Sequence, residues 1–345
     1  MEQGMTRARD LDGLRFLTAI VVILLHVGEF PELPDGWGGL IRVSLRWCVP
    51  FFFLVSGYFL YRPGAPGPVV PMERVTRVAR MFAVGSLIYL PLMIAKGDTG
   101  LGEVAPDLLL SGTWYHLWFL PALVIALVGV AAVAPLRRAE RALDIGAALV
   151  LLVFLGLDMA ASIDGGYGLA MDLARQTQGL GFLWIGYRIA RAGGRASAPL
   201  LAALILGGAA LTLADAVLLS RFGGEMSWRQ CSLGAALVAV GLLLWGVKGT
   251  VHLPGWMARM GRAHSLAIYI LHPLCVAVAG VLVAASDGGA RPSLPIAALT
   301  LVGTLALIEA LRRFAPGVKA VIDGAPPGAP DPREPAPAQA AAAGA

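Results

Sequence analysis

The chain has 345 residues, 57% hydrophobic and only 14% charged, with a mean hydropathy of +0.74. A globular domain carries about 25% charge, so this chain cannot coat a water-soluble particle, and lipid is its expected solvent. The net charge is a modest +5, and the basic residues recur in small groups between apolar runs; a nucleic-acid binder would gather them on one patch.

A hydrocarbon core about 30 Å thick needs roughly 20 apolar residues of helix. By that measure the sequence predicts an all-α polytopic membrane protein of about ten spans. They fall near 11–30, 40–61, 76–95, 114–135, 143–159, 172–190, 199–219, 229–247, 263–285 and 295–313. The first is not a cleaved leader, because no small-x-small pattern follows its apolar run from Leu14 to Val27. Arg175, Gln176 and Gln178 interrupt the sixth.

Loop charge predicts the orientation. Arg7, Arg9, Arg62, Arg74, Arg77, Arg80, Arg137, Arg138, Arg141, Arg188, Arg191, Arg195, Lys248, Arg259, Arg262, Arg312, Arg313 and Lys319 fall in or beside one set of loops. The alternate set holds Glu29, Glu32, Asp35, Asp98, Glu103, Asp107 and Asp164, with few basic residues (Lys96, Arg221, Arg229, Arg291). The positive-inside rule then puts both termini in the cytoplasm. Residues 1–315 read as one membrane domain. Residues 316–345 read as a Pro/Ala-rich tail, disordered for want of an apolar period. Cys48, Cys231 and Cys275 all lie in apolar stretches, which suits buried thiols.

Charged groups at membrane depth are expensive and mark function by default. Span one carries Asp10, Asp12 and Arg15, then a long apolar run ending in His26. Arg15 and His26 lie close to three full turns apart, on one face, separated by about 16 Å along the axis. One helix face thus offers a permanent cation at the inner mouth and a titratable base further out. Asp12, three residues before Arg15, is placed to pair with it. The bland alternative makes Asp12 and Arg15 interfacial anchors and His26 an end cap.

Arg42 and Arg46 stand one turn apart on the outer half of span two, suited to an anionic ligand or a structural carboxylate. Ser56-Gly57 further along fits a small-residue packing surface. Outer-side candidates are His116 and Trp118, Arg175 opening span six, and Asp215 late in span seven. In span nine Tyr269 and His272 share a face, and Pro273 should kink the helix. His264 sits at the inner edge, and Glu309 in span ten should pair with Arg312 or Arg313. There is no phosphate loop, no Gly-x-Ser-x-Gly elbow and no cluster with metal-ligand spacing. A transporter would show broken helices in matching halves; Pro50 and Pro273 break spans two and nine, but no halves match.

Arg9-Asp10-Leu11-Asp12-Gly13-Leu14-Arg15 followed by His26 resembles the opening of the bacterial membrane acyltransferase-3 family, whose first helix carries an arginine, ten residues, then a histidine. Val49-Pro50-Phe51-Phe52-Phe53-Leu54-Val55-Ser56-Gly57-Tyr58 resembles the family's second-helix motif, with Tyr58 where Phe is common. His116-Leu117-Trp118-Phe119-Leu120, Arg175 with Gly179-Leu180, and Ser265 to Pro273 follow in the family's order, and the resemblance covers about residues 9–313. Phe16 replaces a glycine common after the arginine, and no periplasmic SGNH hydrolase-like domain follows the tenth span.

The resemblance implies a multi-pass protein of the bacterial cytoplasmic (inner) membrane that moves an acyl group, usually acetyl, from acyl-coenzyme A to a hydroxyl of a cell-envelope or secreted glycan. Acyl-coenzyme A is a donor substrate here, with no permanently bound cofactor. It implies His26 as general base or acyl relay, Arg15, Asp12 and Ser56 at the donor end, and His116, Trp118, Arg175, Tyr269 and His272 on the acceptor side. Transfer is then completed by the membrane domain or by a separate periplasmic transferase partner. The competing class is an exporter of an acylated glycan or acyl group, without thioester chemistry.

Overall fold

The computed structural model describes residues 2–96, 105–166, 168–249, 253–286 and 288–325, and every regular element among them is helical. Asp98, Glu103 and the tail from residue 326 lie outside the described residues.

Helix α1 (Glu2–His26) fills the first expected span. The second divides into α2 (Trp37–Leu45) and α3 (Cys48–Tyr58). Pro50 cannot donate to the carbonyl of Arg46, so the helix restarts there and Arg46 sits in the junction. Next come α4 (Met72–Ala95), the short α5 (Ala105–Ser111), and α6 (Phe119–Val133) with a 3-10 extension over Ala134–Ala139. Helices α7 (Glu140–Asp164) and α8 (Leu169–Arg191) follow. A π-helical turn over Ala203–Gly207 joins α9 (Ala198–Ala202) to α10 (Gly208–Arg221). The set closes with α11 (Leu233–Lys248), α12 (Gly255–Ser286) and α13 (Ser293–Phe314).

Each of the ten expected spans thus falls on helix, but among the described residues only 7 helices are long and apolar enough to cross a membrane on those grounds. The other three are α1 and α8, which carry charged and polar residues along half their length, and α11, which has 16 residues. Around them the outer surface is apolar: Leu87, Leu149, Leu152, Leu206, Val281 and Val302 are all exposed. A continuous apolar exterior fits lipid and not water.

The helix ends sort onto two sides of the bundle. Asp12 meets Arg262 while His26 meets His272, so α1 and α12, the first and ninth spans, run parallel. Glu140 meets Arg188 while Ala147 backs on Gly181, so α7 and α8, the fifth and sixth, run antiparallel. Parallel odd-numbered spans and antiparallel neighbours are what alternate threading requires. Glycine sets the closest approach: a Cβ on Gly261 would stand 1.8 Å from the Asp12 carbonyl oxygen, so α12 can touch the α1 backbone there only without a side chain.

Two connections differ from a plain tail and loop. The chain after α13 was expected to be disordered from residue 316. Instead Pro316–Ile322 forms a further helix, α14, packed on α13 and α4. Arg77 donates to the Asp323 carbonyl (2.7 Å), Lys319 pairs with Asp323, and Gly324 lies against Arg77. Residues 316–325 therefore belong to the bundle, because Val321 and Ile322 continue an apolar face that Pro and Gly in the composition masked. After α1, the Glu32 carboxylate accepts the first backbone N–H groups of α13, from Ser293 (2.9 Å) and Leu294 (2.8 Å). Partial burial opposes ionisation of Glu32, but these bonds prevail and hold its carboxyl below the usual range.

Candidate active site

The site begins at Pro273, inside the continuous helix α12, where the hydrogen-bond ladder has a break. Pro273 has no N–H, which frees the carbonyl of Tyr269 four residues back. The His272 ring takes it: Nδ1 lies 2.9 Å from that oxygen and 3.1 Å from the Ile268 oxygen. One residue on, the Tyr89 hydroxyl enters the helix ladder, donating to the Ile270 carbonyl (2.7 Å) and accepting from the Leu274 N–H (3.3 Å). A side chain inserted at a proline is a recognised cause of a kink.

His26, the last residue of α1, faces this break. Its Nδ1 is 2.8 Å from the Val22 carbonyl and 3.1 Å from His272 Nε2. A carbonyl only accepts, so the hydrogen bonds assign the protons. His272 carries its proton on Nδ1 and keeps a lone pair on Nε2. His26 likewise carries its proton on Nδ1, shared between Val22 and His272, and keeps a lone pair on Nε2. A base held in one tautomer by a second imidazole is the result.

Beside the pair lies a cavity of about 40 Å³ lined by Val22, His26, Arg46, His116, Gln230 and Tyr269, among others. His116 is buried, with its ring near the Ile270 carbonyl, yet neither ring nitrogen makes a hydrogen bond. Its ring sits edge-on to His272 at 5.5 Å and 5.2 Å from Tyr269, whose hydroxyl donates to the His116 carbonyl. A buried imidazole without a partner is unusual and suits a bound ligand. Larger hollows, about 610 Å³ between α7 and α8 and about 570 Å³ beside residues 29–42, contain none of these histidines.

The Arg15 end is a second polar group. Arg15 donates to Asp12 (3.1 Å) and to Ser265 Oγ (3.0 Å), and Arg262 holds the other oxygen of Asp12 at 2.9 Å. Arg74, Arg77 and Arg62 share one electrostatic neighbourhood with Arg15. The Arg74 side chain forms no hydrogen bond or ion pair with any described residue.

The acyltransferase-domain family matches residues 9–312, most of the chain. The chain belongs to the acyltransferase-3 family. The chain is also 28% identical over 120 residues to an amino-acid racemase of Enterococcus faecalis, covering 33% of this chain and 17% of that protein. It is 28% identical over 126 residues to a serine/alanine racemase of Enterococcus gallinarum, covering 34% of this chain and 18% of that one. The chain thus spans less than a fifth of the length of these curated relatives. No solved structure matches it. Family and apolar helices together mark a multi-pass membrane protein.

The sequence-selected residues fall into two groups. His26, His116, Trp118 and Tyr269 line the small cavity with His272 behind them, while Asp12 and Arg15 form the other end. Arg175 is not on the cavity wall. It lies over the Trp118 ring at 5.0 Å, 3.6 Å from Asp172 and 3.3 Å from Ser111, so it supports Trp118 from behind. Ser56 joins neither group by any described contact, and its neighbour Gly57 packs on the Leu183 backbone, which is the packing role. Asp215 accepts both arms of Arg229 at 2.9 Å. Tyr89, Asp158, Arg229 and Gln230 were not selected from the sequence. Asp158 carried a usable signal, an acid within the apolar run 147–161.

Proposed function

We propose that the protein is a membrane O-acyltransferase that moves an acetyl group from acetyl-coenzyme A to a hydroxyl of a cell-envelope or secreted glycan. The reading rests on one observation above the rest: the His26–His272 contact, which leaves His26 Nε2 as a base beside a small cavity. His26 removes the hydroxyl proton as the acceptor oxygen attacks the thioester carbon. The imidazolium that forms keeps its Nδ1–H on the neutral His272 Nε2, which steadies the new charge. A cavity needs about 10–15 Å³ for each water it holds, so 40 Å³ suits the three heavy atoms of an acetyl group better than a longer acyl chain.

The Arg15 end supports an anionic donor. Arg15, Arg62, Arg74, Arg77 and Arg262 gather there around Asp12, a surplus of positive charge that suits the phosphates of coenzyme A. By the loop charges this end faces the cytoplasm, both termini with it, and the chain crosses the inner membrane ten times. A donor docked there must extend a thin arm about 16 Å to reach His26, and a pantetheine arm has that shape. His116 and Tyr269 would meet the acceptor. The racemase names of the relatives stay with those longer proteins, since the shared stretch covers less than a fifth of them.

The test is free-thiol release from labelled acetyl-coenzyme A by purified protein in nanodiscs with candidate glycans supplied. Wild type should release thiol, His26→Ala should not, and Arg15→Ala should weaken donor binding more than turnover. Donor that binds wild type and stays intact would sink the enzyme reading and leave an exporter in its place.

A further inference from the structure

Arg46 is the cation on the wall of the His26 cavity, and the structure goes to some length to place it. It sits in the junction of α2 and α3 and donates to the Ser227 carbonyl (3.2 Å) and to Gln230 Oε1 (3.4 Å). Both of these acceptors are neutral, and Asp158, the acid whose field reaches Arg46, is itself paired with Arg229. The segment that supplies them is pinned from behind. Asp158, fully buried, accepts the backbone N–H groups of Gln230 (3.0 Å) and Cys231 (3.0 Å) and pairs with Arg229 at 2.7 Å. Arg229 closes on Asp215 with its other two nitrogens. A buried ion network is a costly way to hold a loop. What this loop carries toward the cavity is the pair of oxygens that aim Arg46.

We propose that Arg46 is the catalytic cation of this site, receiving the negative charge that develops on the acyl carbonyl oxygen. The inference rests on the reading of His26 as base in acyl transfer. The acceptor O–H bond breaks with its proton passing to His26 Nε2, and the freed oxygen forms a bond to the carbonyl carbon. The carbonyl electron pair moves onto oxygen, facing the Arg46 guanidinium. When that pair returns, the carbon–sulfur bond breaks and the thiolate takes the proton from His26. The same low-dielectric wall that makes a cation costly makes it effective at this one moment. Arg42, one turn earlier, differs: it pairs with the exposed Glu29 at 3.2 Å and is not on the cavity wall.

The experiment compares wild type, Arg46→Gln, Arg46→Lys and His26→Ala for kcat and for KM of both acetyl-coenzyme A and acceptor. Removing one oxyanion donor costs about 10²–10³ in kcat, so Arg46→Gln should lose about that much with both KM values nearly unchanged. Arg46→Lys, which keeps charge without the planar fork, should fall between. A rise in either KM with kcat intact would make Arg46 a binding residue and overturn the proposal. So would loss of both Arg46 variants from the membrane, which would make it structural. Wild-type turnover in His26→Ala would instead remove the base reading, and a kcat-selective loss in Arg46→Gln would still stand apart from it.

Discussion

Replacing His272 by Leu separates the base from what steadies it. The substitution keeps an apolar side chain of similar bulk at a fully buried position and leaves His26 Nδ1 its bond to the Val22 carbonyl at 2.8 Å. Within α12 the Nδ1–H bond to the Tyr269 carbonyl is lost, and at the base the neutral Nε2 acceptor at 3.1 Å disappears, which matters most when His26 is an imidazolium. Hydrogen bonds to charged groups contribute about 1.5–3 kcal/mol, and each 1.36 kcal/mol of barrier is about tenfold in rate. His272→Leu should therefore lower kcat by about 10- to 150-fold. Removing a general base altogether costs about 10²–10⁴, so His26→Ala should lie lower still. Single-turnover thiol release with saturating donor and acceptor measures both. An unchanged rate in His272→Leu would refute the role given to the pair. A rate as low as that of His26→Ala would mean that His272 itself handles the proton.

Tyr89→Phe should strand the Leu274 N–H and Ile270 carbonyl inside the α12 break, costing about 1–3 kcal/mol, seen as a lower unfolding temperature in detergent. Gly261→Ala should push α12 off the Asp12 carbonyl and cost about 1–3 kcal/mol by overpacking; wild-type stability there would mean the helices shift apart freely. Asp158→Asn removes one of the two acids on the buried Arg229 and leaves Asp215, a loss of about 1.5–3 kcal/mol, measurable as reduced yield and unfolding temperature. Glu32 has a depressed carboxyl pKa, so its contribution is complete above about pH 4.3 and fades as pH falls through the lower, folded value. The stability gap between wild type and Glu32→Gln should close in that acid range and nowhere above it.

The helices and much of the site were legible because hydropathy and charge act locally along the chain. Arg15, His26 and Asp12 could be placed on one face from the 3.6-residue period alone. The partnership of His26 with His272 could not, because it joins residues 246 positions apart through the packing of two parallel helices. Pro273 announced a kink, but that the freed Tyr269 carbonyl would fix a histidine tautomer depends on ring orientation, which no pattern encodes. Arg46 was visible only as one of a pair with Arg42, and three-dimensional packing sent the two to different neighbours. Residues 316–325 were misjudged because proline and glycine dominate the stretch by composition, while its few apolar side chains find a surface on α13 and α4.

Helix α14 also decides where on the bundle Ala325 lies. By pairing Asp323 with Lys319 and receiving Arg77, it returns the polypeptide to the start of α4. Arg77 belongs to the same cluster as Arg15 and Arg74. A segment grafted directly onto Ala325 would therefore start at the rim of that cluster, at high local concentration. An acidic affinity tag placed there would compete with an anionic donor for the same arginines, and a bulky fusion would crowd its approach. The connection between α12 and α13 opens at the other end, where Ser293 meets Phe30, and an epitope inserted there would leave the arginines unchallenged.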